Sequence, residues 1–450
     1  MTAADQQVSI PVDLLRPGLH VQALDRPWVE TPFVFQGFRV TGATELEVLR
    51  AYCRTVRVDL ALSDPQAVEA VLARGGRRPL TPAQLGVGAS EAGASIDGAP
   101  AGASARAAPV AGALFEPVQY PDRRRFGAQV QRAAAVRQEA QKALVDALRR
   151  IQSGRPLDPA PARAAISALL DEVRADPTAA LWLTQLRQQE GYAVTHCMNA
   201  CVLALAFGAT LGMEQEALQR LGMGTLLMDV GKVKLPRALL AKPRSLSRTE
   251  FAVVQSHVTL GCDLLEAHGM PAEVVDIVRQ HHERRSGRGY PRGLGGDEIP
   301  RQALIAGLAD SYDAMIRRRP HRAALRPDEA LQTLYRSAAD TFGAELVEAF
   351  IRFLGTYPVG TLVRMNDGAV AIVVGSRPGA GVWPTVMLLR TPTGTPVRER
   401  RLVNLAAANE ADHGGRPPRV SRTLDRREAN VDVGRLIARE FGICAGGAGG

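Results

Sequence analysis

Residues 281–291 read HHERRSGRGYP, and the two histidines that open this stretch decide how the rest of the chain is understood. They close the segment MPAEVVDIVRQHHE (270–283), in which Val274 and Val278 recur at helical spacing and lead into His281 and His282. The spacing predicts an amphipathic helix whose inner face ends in two imidazoles. Adjacent helical residues diverge by about 100°, yet near a helix end both rings can converge on one ion. As purely structural groups, two adjacent inward histidines would need several buried hydrogen-bond partners.

Five of the eight histidines fall between 196 and 282. His196 shares a stripe with Ala200, Leu203 and Phe207 and therefore faces inward. Taken alone, such a histidine is more often a hydrogen-bonded core residue than a ligand. His257 follows a helix that opens with the capping box SRTE (247–250). Asp310, in ALIAGLADSYDAMI (303–316), lies beside the apolar stripe of Ile305, Leu308, Ala309 and Tyr312. An unpaired carboxylate there would be costly, and a metal ion would remove that cost. In TLLMDVGKVKLP (225–236) a short apolar helix ends at Gly231 and leaves Asp229 and Lys232 at its end, with Met228 on the stripe of Leu221 and Thr225. Histidine and carboxylate ligands without a thiolate suit Fe, Mn, Zn or Ni.

The 450 residues suffice for two or three domains, and 46% hydrophobic with 22% charged content is that of a soluble globular protein. The first residues show no basic stretch followed by an apolar core, and the longest apolar run, ACVLALAFGATLGM (200–213), is too short to span a bilayer. Five cysteines without a C-x-x-C pair read as reduced thiols, so the expectation is a cytoplasmic protein with no membrane partner. The net charge of +9 is concentrated in arginine runs such as DRRRF, IRRRPHR and RERRL. These are solvated faces or the mark of an anionic partner. With no zinc-finger spacing and no RNA-binding aromatic signature, a small phosphorylated ligand fits better than a nucleic-acid polymer.

Hydrophobic periodicity gives a mainly α chain with β-rich ends. A small β-rich module is expected at 6–75, with Val56 and Val58 on a strand. A disordered Ala/Gly/Pro-rich linker is expected at 76–118, a helical domain at 119–355, a strand-rich segment at 356–408 and a disordered tail at 409–450. Asn366, Asp367 and Gly368 mark a hairpin, and TVMLLRTPTGTPV (385–397) a second candidate.

The order His196, Met228-Asp229-x-x-Lys232, His257, His281-His282-Glu283, Gly289-Tyr290-Pro291, Asp310-x-x-Asp313, followed by RRRPHR, resembles the HD-GYP domain, a branch of the HD metal-dependent phosphohydrolases. The resemblance covers about 180–330. It implies an HD-type helical bundle holding divalent metal, commonly iron or manganese. It also implies hydrolysis of the second messenger cyclic di-GMP, or a related phosphodiester, to pGpG or GMP. Carried over, one ion would use His196, the histidine of the HD pair, Asp229 and Asp310, and the other Asp229, His257, His281 and His282. Lys232, and likewise Arg319, would neutralise charge on the scissile phosphate. Gly289, Tyr290 and Pro291 would shape the pocket, and the GYP face could dock signalling proteins. Three positions depart from the pattern: Met228 replaces the HD histidine, Ser286 an aspartate and Leu304 an arginine. Tyr192 stands where some members carry a third-metal glutamate. The expectation is one or two ions, a weakened first site, and hydrolysis weakened or lost. The alternative is a non-catalytic cyclic di-GMP sensor or interaction module on the same fold.

Overall fold

The computed structural model describes residues 7–25, 38–40, 42–73, 123–156, 158–185, 192–242, 244–317, 324–375, 383–398, 400–410 and 418–442. They belong to two compact units, one within 1–110 and one within 111–450. The expected linker at 76–118 and Arg319 lie outside the described residues.

In the first unit, strands β1 (Gln7–Pro11), β2 (His20–Leu24), β3 (Phe38–Arg39) and β4 (Thr55–Asp59) form an antiparallel sheet in the order β1-β4-β2-β3. Alternation along β4 turns Val56 and Val58 inward, onto a core shared with Ile10, Val21 and Leu49. Helices α1 (Ala43–Tyr52) and α2 (Pro65–Leu72) complete the unit. Asp64 caps α2 by accepting from the Gln66 amide, and Pro65 takes the first turn, where its missing N–H costs nothing.

The second unit is a helical bundle followed by a sheet. Its helices are α3 (Arg123–Gln152), α4 (Ala160–Ala175), α5 (Pro177–Leu183), α6 (Tyr192–Thr210), α7 (Gln215–Leu227), α8 (Arg237–Leu240), α9 (Arg248–Gln255), α10 (His257–Ala267), α11 (Ala272–Gln280), α12 (Arg301–Ile316), α13 (Pro327–Arg336), α14 (Ala338–Thr341) and α15 (Ala344–Leu354). The helix α6 is apolar on all sides because it occupies the centre, where it packs on α3, α4, α5, α7 and α12. Its stretch Ala193–Thr210 is long and apolar enough to cross a membrane, but 83% of that stretch is buried inside the structure, which accounts for its composition. The capping box at the start of α9 forms as the sequence predicts, with Ser247 Oγ accepting from the Glu250 amide and the Glu250 carboxylate accepting from the Ser247 amide.

Strands β5 (Leu362–Met365), β6 (Val370–Gly375), β7 (Thr385–Arg390), β8 (Leu402–Asn404) and β9 (Val420–Leu424) form an antiparallel sheet in the order β8-β7-β6-β5-β9. The turn between β5 and β6 falls on Asn366–Gly368, as expected. Beyond β7 an Arg390–Pro396 bridge forms the second hairpin. The tail is a correction to the sequence reading. Residues 418–442 are ordered as β9, α17 (Arg426–Ala429) and α18 (Val433–Glu440), after α16 (Leu405–Glu410). The helical stripe of Val433, Leu436, Ile437 and Phe441 is present but short and set among polar residues, and Val420 and Leu424 are buried against a strand some 55 residues earlier, β5. The sheet is joined to the bundle by the Trp182 indole, which donates to the Val374 carbonyl at 2.7 Å, and by edge-to-face packing of Phe126, Trp182 and Phe441.

Arg137 of α3 is wholly buried, and none of its three guanidinium nitrogens finds a protein acceptor among the described residues. Burial, with Arg317 nearby, lowers its pKa to about 10. An unsatisfied buried polar group costs about 1–3 kcal/mol. Arg137→Met is therefore expected to raise the stability of the metal-free protein by that order, seen as a higher denaturant midpoint. A lower midpoint would show that the guanidinium is satisfied after all.

Candidate metal centre

The two groups of side chains singled out in the sequence meet at the centre of the bundle, although their residues are spread from 196 to 310. His257, at the first turn of α10, and His281 and His282, just past the end of α11, bring their imidazoles together. One ring nitrogen from each lies within 4.8 Å of the others, a spacing that could hold one metal ion. His257 Nδ1 donates to the Val254 carbonyl and His281 Nδ1 to the Val278 carbonyl, each at 2.7 Å. These bonds fix the tautomers, so that Nε2 is the free nitrogen in both rings. Both Nε2 atoms are buried and make no hydrogen bond among the described residues. Asp229 faces the same space, 3.4 Å from His257 Nε2.

The second group lies beside the first. His196 of α6 places Nε2 at 2.8 Å from Asp310 and Nδ1 at 2.7 Å from Asp313, both on α12. Asp310 also lies 3.9 Å from His282 Nδ1, so the two groups are continuous. The helix α7 ends at Leu227, and Met228 follows as its wholly buried C-terminal cap. The chain then turns through a 3-10 segment, Val230–Lys234. This turn puts the Lys232 ammonium 2.6 Å from the Asp229 carboxylate, with part of the lysine still exposed.

Two glycines let these elements approach. A Cβ on Gly231 would lie 1.9 Å from the His257 carbonyl oxygen, and one on Gly307 would lie 2.3 Å from that of His281. Backbone contact of this kind is possible only without a side chain. The GYP loop has its own fastening. Glu283, wholly buried, accepts from the Arg292 amide at 2.7 Å and the Leu294 amide at 3.0 Å. Tyr290 stacks on His282 at 4.5 Å between ring centroids and meets Phe251 edge-on. Ser286 is held through its backbone, by a bridge to Gly295 and a bond from its amide to the Asp340 carbonyl. Leu304 is buried within α12.

Sequence reasoning placed Glu283 and Asp313 in motifs without giving them a role. It gave no role to Asn199 or Arg317, for which the local signals are the i, i+3 spacing of His196 and Asn199 and the i, i+4 spacing of Asp313 and Arg317.

The electrostatics separate the groups. Burial holds His281 neutral, with its pKa lowered to about 4, and lowers His257 and His282 as well. For His196 burial also disfavours the charged form, but hydrogen bonds and charge from Asp310 and Asp313 raise the pKa to about 9. Asp229, despite burial, is kept well below the usual carboxylate range by Lys232 and His257. A sign follows for the metal-free protein. Between about pH 4 and the unfolded value of about 6.5, the unfolded chain binds more protons at the three depressed histidines, so stability rises with pH. The His196 contribution is fully present below about 6.5 and is lost as pH rises through 9. Melting temperature in a chelator is expected to peak near pH 6.5, and a monotonic rise to pH 9 would contradict this assignment.

Comparison with known proteins gives two family matches. Residues 181–346 match the HD domain family. Residues 7–162 match a domain of unknown function, DUF3391. The chain is 29% identical over 410 residues to the cyclic di-GMP phosphodiesterase PA4108 of Pseudomonas aeruginosa, covering 90% of each chain. It is 36% identical over 144 residues to the cyclic di-GMP phosphodiesterase response regulator RpfG of Xanthomonas campestris pv. campestris, over 32% of this chain and 38% of that one. Among solved structures it is similar to Bd1817, a HDG"Y"P protein from Bdellovibrio bacteriovorus, with a TM-score of 0.43 and 15% identity over 76% of this chain and 98% of that one.

Proposed function

This chain belongs to the HD-GYP family, and on that footing we propose that it is a metal-dependent cyclic di-GMP phosphodiesterase working with one firm and one weakened metal site. The observation that carries the reading is the buried convergence of His257, His281 and His282, two of them with orphaned Nε2 atoms aimed beside Asp229. Three neutral imidazoles and a carboxylate fit a divalent ion, and the nitrogen and oxygen donors suit iron or manganese. The ion would be held by His257, His281, His282 and Asp229.

When bound, divalent metal supplies positive charge to phosphate oxygens and acidifies water. The chain's own groups do the rest. Lys232, kept cationic by Asp229, offers an ammonium to the anionic diester and stabilises charge that grows on it. Tyr290 fixes the plane of the His282 ring by stacking on it. The second position, at His196, Asp229 and Asp310, lacks a ligand. Met228 occupies the place of the HD histidine, is wholly buried, and offers only a neutral, soft thioether.

The test is elemental analysis with cyclic di-GMP turnover for the natural protein and Met228→His. The natural protein is expected to keep about one ion and to turn over slowly. The variant should keep two ions and gain about 10- to 100-fold in turnover, the range by which metal-site support changes activity. Two firm ions and equal turnover in both proteins would overturn the weakened-site reading. Tight dinucleotide binding without turnover in either would overturn the enzyme.

A further inference from the structure

Behind His196 lies a polar network in which Asp313 of the Asp310-x-x-Asp313 motif is joined by two residues that no motif includes, Asn199 and Arg317. The Asp313 carboxylate is wholly buried and accepts from His196 Nδ1 at 2.7 Å, from Asn199 Nδ2 at 2.9 Å, and from Arg317 Nε at 2.8 Å to each oxygen. Arg317 also donates from Nη2 to the Thr184 carbonyl at 2.6 Å, and Asn199 reaches the same carbonyl at 3.3 Å. Thr184 caps the end of α5, the helix whose Trp182 is bonded to β6. Arg317 therefore bridges a side-chain carboxylate, which can rotate, and a backbone carbonyl at the capped end of α5, which is held by the helix.

We propose that Arg317 is a positioning residue for the second metal position, holding Asp313 so that His196 keeps Nδ1 on the carboxylate and presents Nε2 toward Asp310 and that position. An imidazole has two nitrogens and can rotate, so ligation needs one nitrogen tied back; a carboxylate behind a ligating histidine does this. That carboxylate must itself be oriented. A planar guanidinium bonded to both its oxygens and to a third, immobile acceptor does so in a way a lysine ammonium reproduces only in part. Arg317 does not act on the phosphate, because its Nε and Nη2 are directed inward. This inference rests on the reading that His196 serves a metal.

The experiment measures manganese affinity by chelator competition in the full chain, in the Met228→His background where the His196 side is restored. A second ion is expected in that background. Arg317→Met should weaken this second ion by about 10- to 100-fold and leave the three-histidine ion unchanged, with Arg317→Lys intermediate. The cobalt-loaded absorption band of the second ion should shift in the same order. Two unchanged affinities in Arg317→Met would overturn the inference alone, with the parent reading intact. A parallel fall of both affinities with melting temperature would mark Arg317 as a structural plug and also overturn it. Absence of a second ion in Met228→His itself would overturn the parent reading and this inference together. Should Arg317→Met fail to fold, the lysine variant decides alone, because a selective loss at the second ion supports the role and no loss refutes it.

Discussion

Asp229→Asn is expected to strip the protein of divalent metal and to lower cyclic di-GMP turnover by about 100-fold or more. Asp229 faces the three-histidine cluster with one oxygen and Lys232 with the other. Asparagine keeps the shape but removes the charge; with its oxygen turned to accept from Lys232, its N–H group faces the His257 side, where a metal would need an oxygen. Loss of an outer partner of a metal ligand typically costs 10- to 100-fold, so loss of a ligand shared between two positions should cost at least as much. The readouts are metal per chain by elemental analysis and product formation from cyclic di-GMP. A variant that still carries a full complement of metal would remove Asp229 from the site. Lys232 gives an internal control, since its raised pKa depends on the same carboxylate.

Gly231→Ala is expected to be the most damaging single-methyl substitution, at about 3 kcal/mol or more. The added Cβ would fall 1.9 Å from the His257 carbonyl oxygen and 2.5 Å from the Gly261 amide nitrogen. Both neighbours are backbone, so no rotamer change relieves the contact. Either the 3-10 segment carrying Lys232 moves away, or the first turn of α10 does and takes His257 with it. Stability and metal binding should fall together. Gly261→Ala is the matched comparison. Its nearest neighbour, the Gly231 amide nitrogen, would lie at 3.3 Å, so a much smaller loss is expected. Equal denaturant midpoints for the two variants would contradict the geometry.

Much of the centre was legible because its residues carry their meaning locally. His281 and His282 end a helix with a clear apolar stripe, and the SRTE capping box fixes where α9 begins. The turn at Asn366–Gly368 was likewise written in adjacent residues. What could not be read depends on distance along the chain. The Asp313–His196 bond joins residues 117 apart, and the Arg317–Thr184 bond joins residues 133 apart. Arg317 sits at the head of a basic run that reads as solvated charge, yet its guanidinium turns back into the bundle. The order of 418–442 was hidden for the same reason, since its apolar residues acquire a core only against β5 and the helices before it.

The Glu283 carboxylate, clasping amides nine and eleven residues ahead, bears on how a ligand is admitted. It closes the GYP loop into a small non-covalent ring made by the chain's own groups. The entropy of ordering a loop held in this way is lost during folding and not at the moment of binding. On the proposed function, a dinucleotide reaching Tyr290 would meet a rim already shaped by these bonds, and its affinity would follow from fit. Discrimination among cyclic dinucleotides would rest on the fixed shape of this rim.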